Sequence, residues 1–133
     1  IVYPVHLNPN VQKPVESLLS GISNIHLVTP MDYSTFVWMM NQAYFIITDS
    51  GGVQEEAPSL GKPVLVMRNI TERPEAVEAG TVILVGTDTK TIIESARMLL
   101  NNHDKYHQMK QSHNPYGDGK ASVKIRAFLE SNL

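Results

Sequence analysis

The sequence predicts a three-layer α/β domain with about five parallel strands and helices on both faces of them. Three features lead to that prediction. Short apolar runs alternate with segments that are apolar at helical spacing along all 133 residues. Runs such as Tyr44–Ile47 and Val64–Met67 are continuously apolar, as parallel strands covered on both faces are. One stretch, 44–67, reads as a complete strand–helix–strand unit with a polar turn at the carboxyl end of its first strand, where open parallel sheets place ligands. No internal repeat or linker interrupts the pattern, so a single domain over 1–133 is expected.

The chain opens on Ile1-Val2-Tyr3, apolar from the first residue, and is expected to start inside a strand as the carboxyl-terminal part of something longer. Asn10 is a candidate cap for a helix with Val11, Val15, Leu18 and Leu19 on its apolar side and Pro14 in its first turn. Asn24–Val28 is the second strand, broken by Thr29-Pro30. Asp32 or Ser34 then caps a helix through Ala43, with Phe36, Val37, Met39 and Met40 facing inward and Trp38 expected to pack.

After strand Tyr44–Ile47, a helix over Val53–Leu60 ends at Gly61, and Pro63 opens strand Val64–Met67. Asn69–Pro74 is a polar loop, Pro74 starts a short helix through Glu78, and Gly80 stops it. Strand Thr81–Val85 ends at Gly86. Asp88 or Thr89 caps a long helix whose Ile92, Ile93, Ala96, Leu99 and Leu100 recur at core spacing. Residues 101–112 are polar helix or turn, 114–119 are turn residues, and Asp118 is expected to cap a last helix with a stripe of Val123, Ile125, Phe128 and Leu129.

The chemistry concentrates at Asp49-Ser50-Gly51-Gly52. Two glycines between strand and helix are free to take positive φ and let backbone amides approach a ligand, and a helix N-terminus offers unpaired donors to a phosphate. The same pair also fits an ordinary tight turn, and it matches neither the dinucleotide fingerprint nor the P-loop. Glu55-Glu56, one turn into the helix, favour the dipole or accept from the two hydroxyls of a ribose. So short a helix cannot aim both the same way, leaving one as a solvated charge and one as a ligand group. Arg73 stands at the ligand end, just before a helix. Arg68 and Glu72 suit local ion pairs worth under about 1 kcal/mol. His6 suits a solvated or locally hydrogen-bonded loop position. His103 and His107 are four apart without a third ligand, so no metal site is assigned.

Composition narrows the function classes. There is no cysteine, which excludes a disulfide framework and thiolate or zinc–cysteine chemistry. A net charge of −2 with interspersed signs offers no basic patch for nucleic acid or an anionic membrane. No apolar run approaches the ~20 residues that span a bilayer, and no signal segment opens the chain, so a cytoplasmic location is expected.

Asp49–Arg68 followed by Thr71–Gly80 closely resembles the nucleotide-binding half of the bacterial non-hydrolysing UDP-N-acetylglucosamine 2-epimerases, and Tyr3–Asn10 and Asn114–Gly119 resemble two further signatures of that family. The resemblance implies the second Rossmann-like half of a GT-B type fold. It implies a UDP site of Phe36 at the uracil, Ser50, Gly51, Gly52 and Arg73 at the diphosphate and Glu56 at the ribose, with His6 lining a second, allosteric nucleotide-sugar site. It also implies no cofactor, a homodimeric full-length protein serving cell-surface polysaccharide synthesis, catalytic acids in a preceding domain and no catalytic residue in this chain. Loop 114–119 is expected to order against that domain. The reaction implied interconverts UDP-N-acetylglucosamine and UDP-N-acetylmannosamine by loss of the carbon 2 proton, elimination of UDP and re-addition; these residues alone are expected to be inactive. A GT-B glycosyltransferase or a hydrolysing epimerase would grip UDP in the same way. A receiver-type signalling domain also places an acid, here Asp49, after a buried strand, but needs an acidic pair where Val5-His6 stands.

Overall fold

The computed structural model describes residues 1–132. In chain order its elements are β1 (Val2–Pro4), α1 (Pro9–Leu19), β2 (His26–Val28), α2 (Tyr33–Gln42), β3 (Ile46–Thr48), α3 (Gly51–Ser59), β4 (Val64–Val66), α4 (Pro74–Glu78), β5 (Val82–Leu84), α5 (Thr89–Asn101), α6 (His103–Gln111) and α7 (Ala121–Asn132). All the strands pair parallel, in two ladders rather than one continuous sheet: β1 with β2, and β3–β4–β5 with β4 in the middle. The chain divides into two compact units, 1–39 and 40–132 of the described residues.

In the first unit, the amide of Val5 extends the ladder by donating to the Val28 carbonyl at 2.9 Å, and Val5 is buried. Asn8, not Asn10, caps α1: its side chain accepts from the Asn10 amide at 2.9 Å, and Pro9 takes the first helical position, where no amide is needed. Pro14 consequently falls in the second turn, not the first, and Leu18 is exposed. Asp32 caps α2, accepting from the Thr35 amide at 3.0 Å. Phe36, Val37 and Met39 are half-buried, and Met40, where the second unit begins, is buried, as the spacing predicts. Trp38 corrects the expectation, being 64% exposed, because at helical spacing it falls on the face opposite Met40.

In the second unit, Val64, Leu65 and Val66 have no exposed surface, since β4 has a hydrogen-bonded neighbour on each side and α3 and α5 contact it. Leu65 packs with Val85, Leu99 and Met109, and Phe45, Met67, Ile83, Ile92 and Ala96 surround that cluster. β3, at the edge of its ladder, is less covered: Ile47 is exposed, against the expectation of burial on both faces. Ile93 and Leu100 of α5 are also exposed, because only the Leu99 side of the helix meets the core. The polar stretch after α5 is a genuine helix, α6, held by Tyr106 and Met109. Tyr106 stacks on Tyr44 at 4.0 Å between ring centres and donates its hydroxyl to the Tyr44 carbonyl at 3.1 Å. Asp118 does not cap α7 as expected. It accepts from the Lys120 amide at 3.0 Å, one residue before α7 begins, and the apolar stripe of α7 stays exposed.

Candidate functional site

β3 delivers the chain into α3 through Thr48, whose hydroxyl accepts from the Ser50 amide at 3.0 Å. α3 starts at Gly51, two residues before the expected Val53. Gly51 and Gly52 are therefore its first turn and take no positive φ, which corrects that expectation. Their lack of side chains does something else. A Cβ on Gly51 would meet nothing within 4 Å, and one on Gly52 only Glu56 Oε1 and Ser50 Oγ at 3.9 Å, so the space over the first turn is open. The Ser50 side chain caps none of the first-turn amides. Donors, dipole and open space converge there, as anion binding at a helix N-terminus requires.

Arg73 precedes α4 and is brought to α3 from 18 residues away. Its Nε donates to Glu55 Oε1, and its Nη1 donates to the Glu72 carbonyl at 3.2 Å and lies 3.7 Å from the Glu72 carboxylate. The hydrogen bond and charge of Glu55 raise the Arg73 pKa further, so the guanidinium stays charged. Glu72 thus pairs with Arg73, and Arg68 forms no ion pair among the described residues.

Beneath this pair lies a link that sequence reasoning missed. Gln54, only 1% exposed, donates its Nε2 to the Ser50 carbonyl at 3.2 Å and accepts the Thr71 hydroxyl at 2.7 Å; Thr71 Oγ1 in turn accepts the Arg73 amide at 3.0 Å. The turn at Ser50 and the loop bearing Arg73 are joined through one buried side chain whose oxygen and nitrogen are both used. Its only trace in the sequence is a glutamine inside a helix whose neighbours Val53 and Ala57 are core residues.

Loop 114–119 also reaches this unit. Asn114 donates to Ser59 Oγ at 2.7 Å and accepts the Tyr116 amide at 3.2 Å. The Tyr116 hydroxyl is buried without a hydrogen-bond partner among the described residues. Burial first, then the charges of Glu75 and Glu55, push its pKa up and keep it neutral; Arg73 and a nearby Ala76 amide, outside hydrogen-bond geometry, pull weakly the other way.

The structure thus brings Ser50, Gly51, Gly52, Glu56 and Arg73 together on one unit. Phe36 and His6 belong to the other, where Phe36 is half-buried in α2 and His6 is exposed, its Nδ1 accepting the Asn8 amide at 3.1 Å. A recess at the carboxyl ends of β4 and β5 is lined by Arg68, Asn69, Gly86, Thr87, Asp88 and Thr91, and by none of the expected ligand residues.

Parallel strands, each leading into a helix, with an uncapped helix N-terminus at a strand's carboxyl end, define a Rossmann-like α/β protein, and the structural neighbours make it one of the GT-B type. Residues 1–130 match the family described as UDP-N-acetylglucosamine 2-epimerase, and the chain belongs to that family. A probable UDP-N-acetylglucosamine 2-epimerase of Ralstonia solanacearum is 63% identical over 131 residues, 98% of this chain and 35% of that protein. The crystal structure of the Neisseria meningitidis UDP-GlcNAc 2-epimerase bound to UDP-GlcNAc superposes with a TM-score of 0.89 at 55% identity, over 98% of this chain and 36% of that one. The S. aureus MnaA–UDP co-structure gives 0.92 at 46% identity, over 98% and 36%. The chain spans about a third of the length of the relatives it matches. No described helix is long and apolar enough to cross a membrane.

Proposed function

We propose that this chain is the UDP-binding part of a non-hydrolysing UDP-N-acetylglucosamine 2-epimerase. The observation that supports this most directly is the open, uncapped first turn of α3 with Arg73 tied beside it, together with family relatives whose structures contain UDP-GlcNAc or UDP. In this reading the diphosphate rests on the amides of Gly51 and Gly52 and on Ser50 and Arg73, and Glu56 accepts from the ribose hydroxyls. Glu56 makes no hydrogen bond or ion pair among the described residues, whereas its neighbour Glu55 is occupied by Arg73. For the first unit, taken by itself, Phe36 is an aromatic face for uracil and His6 part of a second nucleotide-sugar site that acts allosterically.

Elimination of UDP builds negative charge on the leaving diphosphate, and donors already aimed at it stabilise that charge without reorganising. Holding UDP in place then favours re-addition over escape. Proton removal at sugar carbon 2 needs a carboxylate base, which this reading places outside the present chain, in a cytoplasmic, homodimeric full-length protein that supplies cell-surface polysaccharide.

Calorimetric titration with UDP tests the site. Glu56→Ala should weaken binding by about 1–3 kcal/mol through lost charge-assisted hydrogen bonds. Gly52→Val should abolish it in a folded protein, because the Cβ itself has room while the added methyls fill the space over the first turn. UDP affinity unchanged in both variants would remove the site from α3. Exchange of the carbon 2 proton with solvent in the full-length protein separates an epimerase from a glycosyltransferase, and release of free sugar would identify a hydrolysing enzyme.

A further inference from the structure

We propose that Glu55 is a positioning residue: it contacts Arg73 rather than the nucleotide, and holds the guanidinium where it meets an anion bound on the first turn of α3. The inference rests on the reading above, in which Arg73 contacts the diphosphate, and it adds the means by which a half-buried arginine becomes a prepared donor.

An arginine side chain on a loop samples many rotamers, and freezing it on ligand binding costs side-chain entropy. Arg73 is already anchored at both ends, and both anchors lead to α3. Its amide is held by Thr71 Oγ1, which Gln54 of α3 holds in turn. Its Nε is held by Glu55 of α3. Helix α3 therefore carries the first-turn amides and also fixes where the arginine stands relative to them.

The donors that remain decide what Glu55 can be doing. Guanidinium has five N–H groups. Glu55 uses the one on Nε, and the Glu72 carbonyl one on Nη1. Nη1 also faces the Glu72 carboxylate at 3.7 Å, whereas Nη2 makes no hydrogen bond among the described residues, so its two donors are available for phosphate oxygens. Glu55 takes Nε and leaves Nη2 without a hydrogen bond among the described residues. Were it instead a competitor for the guanidinium, removing its charge would strengthen anion binding. Were it a direct ligand group, its removal would matter with or without Arg73. The three roles therefore differ in sign or in additivity.

The test is a double-mutant cycle on UDP affinity in the full chain, with Glu55→Gln, Arg73→Ala and the double variant. Glu55→Gln should weaken UDP binding on the order of ten-fold in the parent, as coupled pairs in one network do, and change it by less than about two-fold in the Arg73→Ala background. Arg73→Lys, which keeps the charge but lacks Nε, should show the same indifference to Glu55→Gln. A structural role would weaken binding equally in every background and lower the thermal midpoint, which should stay within about 2 °C of the parent. Tighter binding in Glu55→Gln, no change, or an equal loss in all backgrounds overturns the proposal. If Arg73→Ala weakens binding while Glu55→Gln does not, only the positioning role fails. If Arg73→Ala binds UDP as the parent does, the assignment of Arg73 to the diphosphate fails and the positioning role goes with it.

Discussion

The two units use the same strand-then-helix pattern and bury it to different depths. In residues 1–39, β1 and β2 pair only with each other, no residue of α1 is buried, and β2 exposes His26. In the second unit, β4 lies between β3 and β5, and its three residues are fully covered. Position in the ladder accounts for much of this. A middle strand has both rows of backbone groups paired and both faces open to packing, whereas each strand of a pair leaves one row outward. The uncapped turn before α3 grows out of the better-buried unit, on the helix that runs from β3 to β4.

The sharpest way to break that contrast is to hollow out each ladder. Leu65→Ala, at the centre of β4, should cost about 3 kcal/mol, within the range for deleting a fully buried leucine. Leu27→Ala, at the matching central place of β2 but only half-buried, should cost less than half as much. Urea denaturation measures both. Equal losses would show that depth in the ladder does not govern stability here.

What the sequence disclosed follows the same division. The central strand–helix–strand unit was legible because its information is local: an apolar run, turn residues, then a second run after Pro63. Asp32 and Asp88 were each legible as one of two candidate caps for the same reason, and each lies three residues before the amide it accepts. Trp38 was misread because a large aromatic on an amphipathic helix is usually inward, and only the actual face it takes shows otherwise. The Gln54–Thr71 and Glu55–Arg73 contacts span 17 and 18 residues, and no periodicity encodes such pairs. The turn at Ser50, Gly51 and Gly52 was legible from its glycines, the roles proposed for Phe36, Glu56 and Arg73 came with the resemblance, and the contacts that tie Arg73 to α3 came from geometry.

A second comparison sets two glycines against each other. Gly86, after β5, has φ +61° and Gly21, after α1, φ +79°, so an alanine at either suffers left-handed strain of about 1–2 kcal/mol. They differ in surroundings. A Cβ at Gly86 would sit 2.6 Å from Asn69 Oδ1, whereas one at Gly21 meets nothing within 4 Å. Gly86→Ala should therefore exceed Gly21→Ala by about 1 kcal/mol, the price of turning Asn69 aside. Adding Asn69→Ala to Gly86→Ala should erase the excess, and a difference that persists in thermal unfolding would locate the strain in the backbone instead.

The smallest effect should appear in acid, and there the thinner unit holds the more strongly perturbed group. Asp32 accepts the hydroxyls of Ser34 and Thr35 at 2.6 and 2.7 Å and the Thr35 amide at 3.0 Å; those bonds, the Ser34 hydroxyl first, hold its carboxyl well below the usual carboxylate range. Asp88 in the second unit accepts the Thr91 amide and hydroxyl at 2.8 Å each, with the Lys90 amide adding to them, and these hold its carboxyl below the usual value. A depressed folded pKa means that the unfolded chain binds the proton more readily. The stabilisation is complete above the unfolded value near 3.8 and fades as pH falls through the lower folded value. Carboxyl NMR titration should find Asp32 protonating at a lower pH than Asp88. The stability gap between the parent and Asp32→Asn, fully open at pH 7, should close as pH falls below about 4. A gap that stays constant down to pH 2 would mean that the bonds at the start of α2 owe nothing to charge, and that asparagine caps this helix as well as aspartate does.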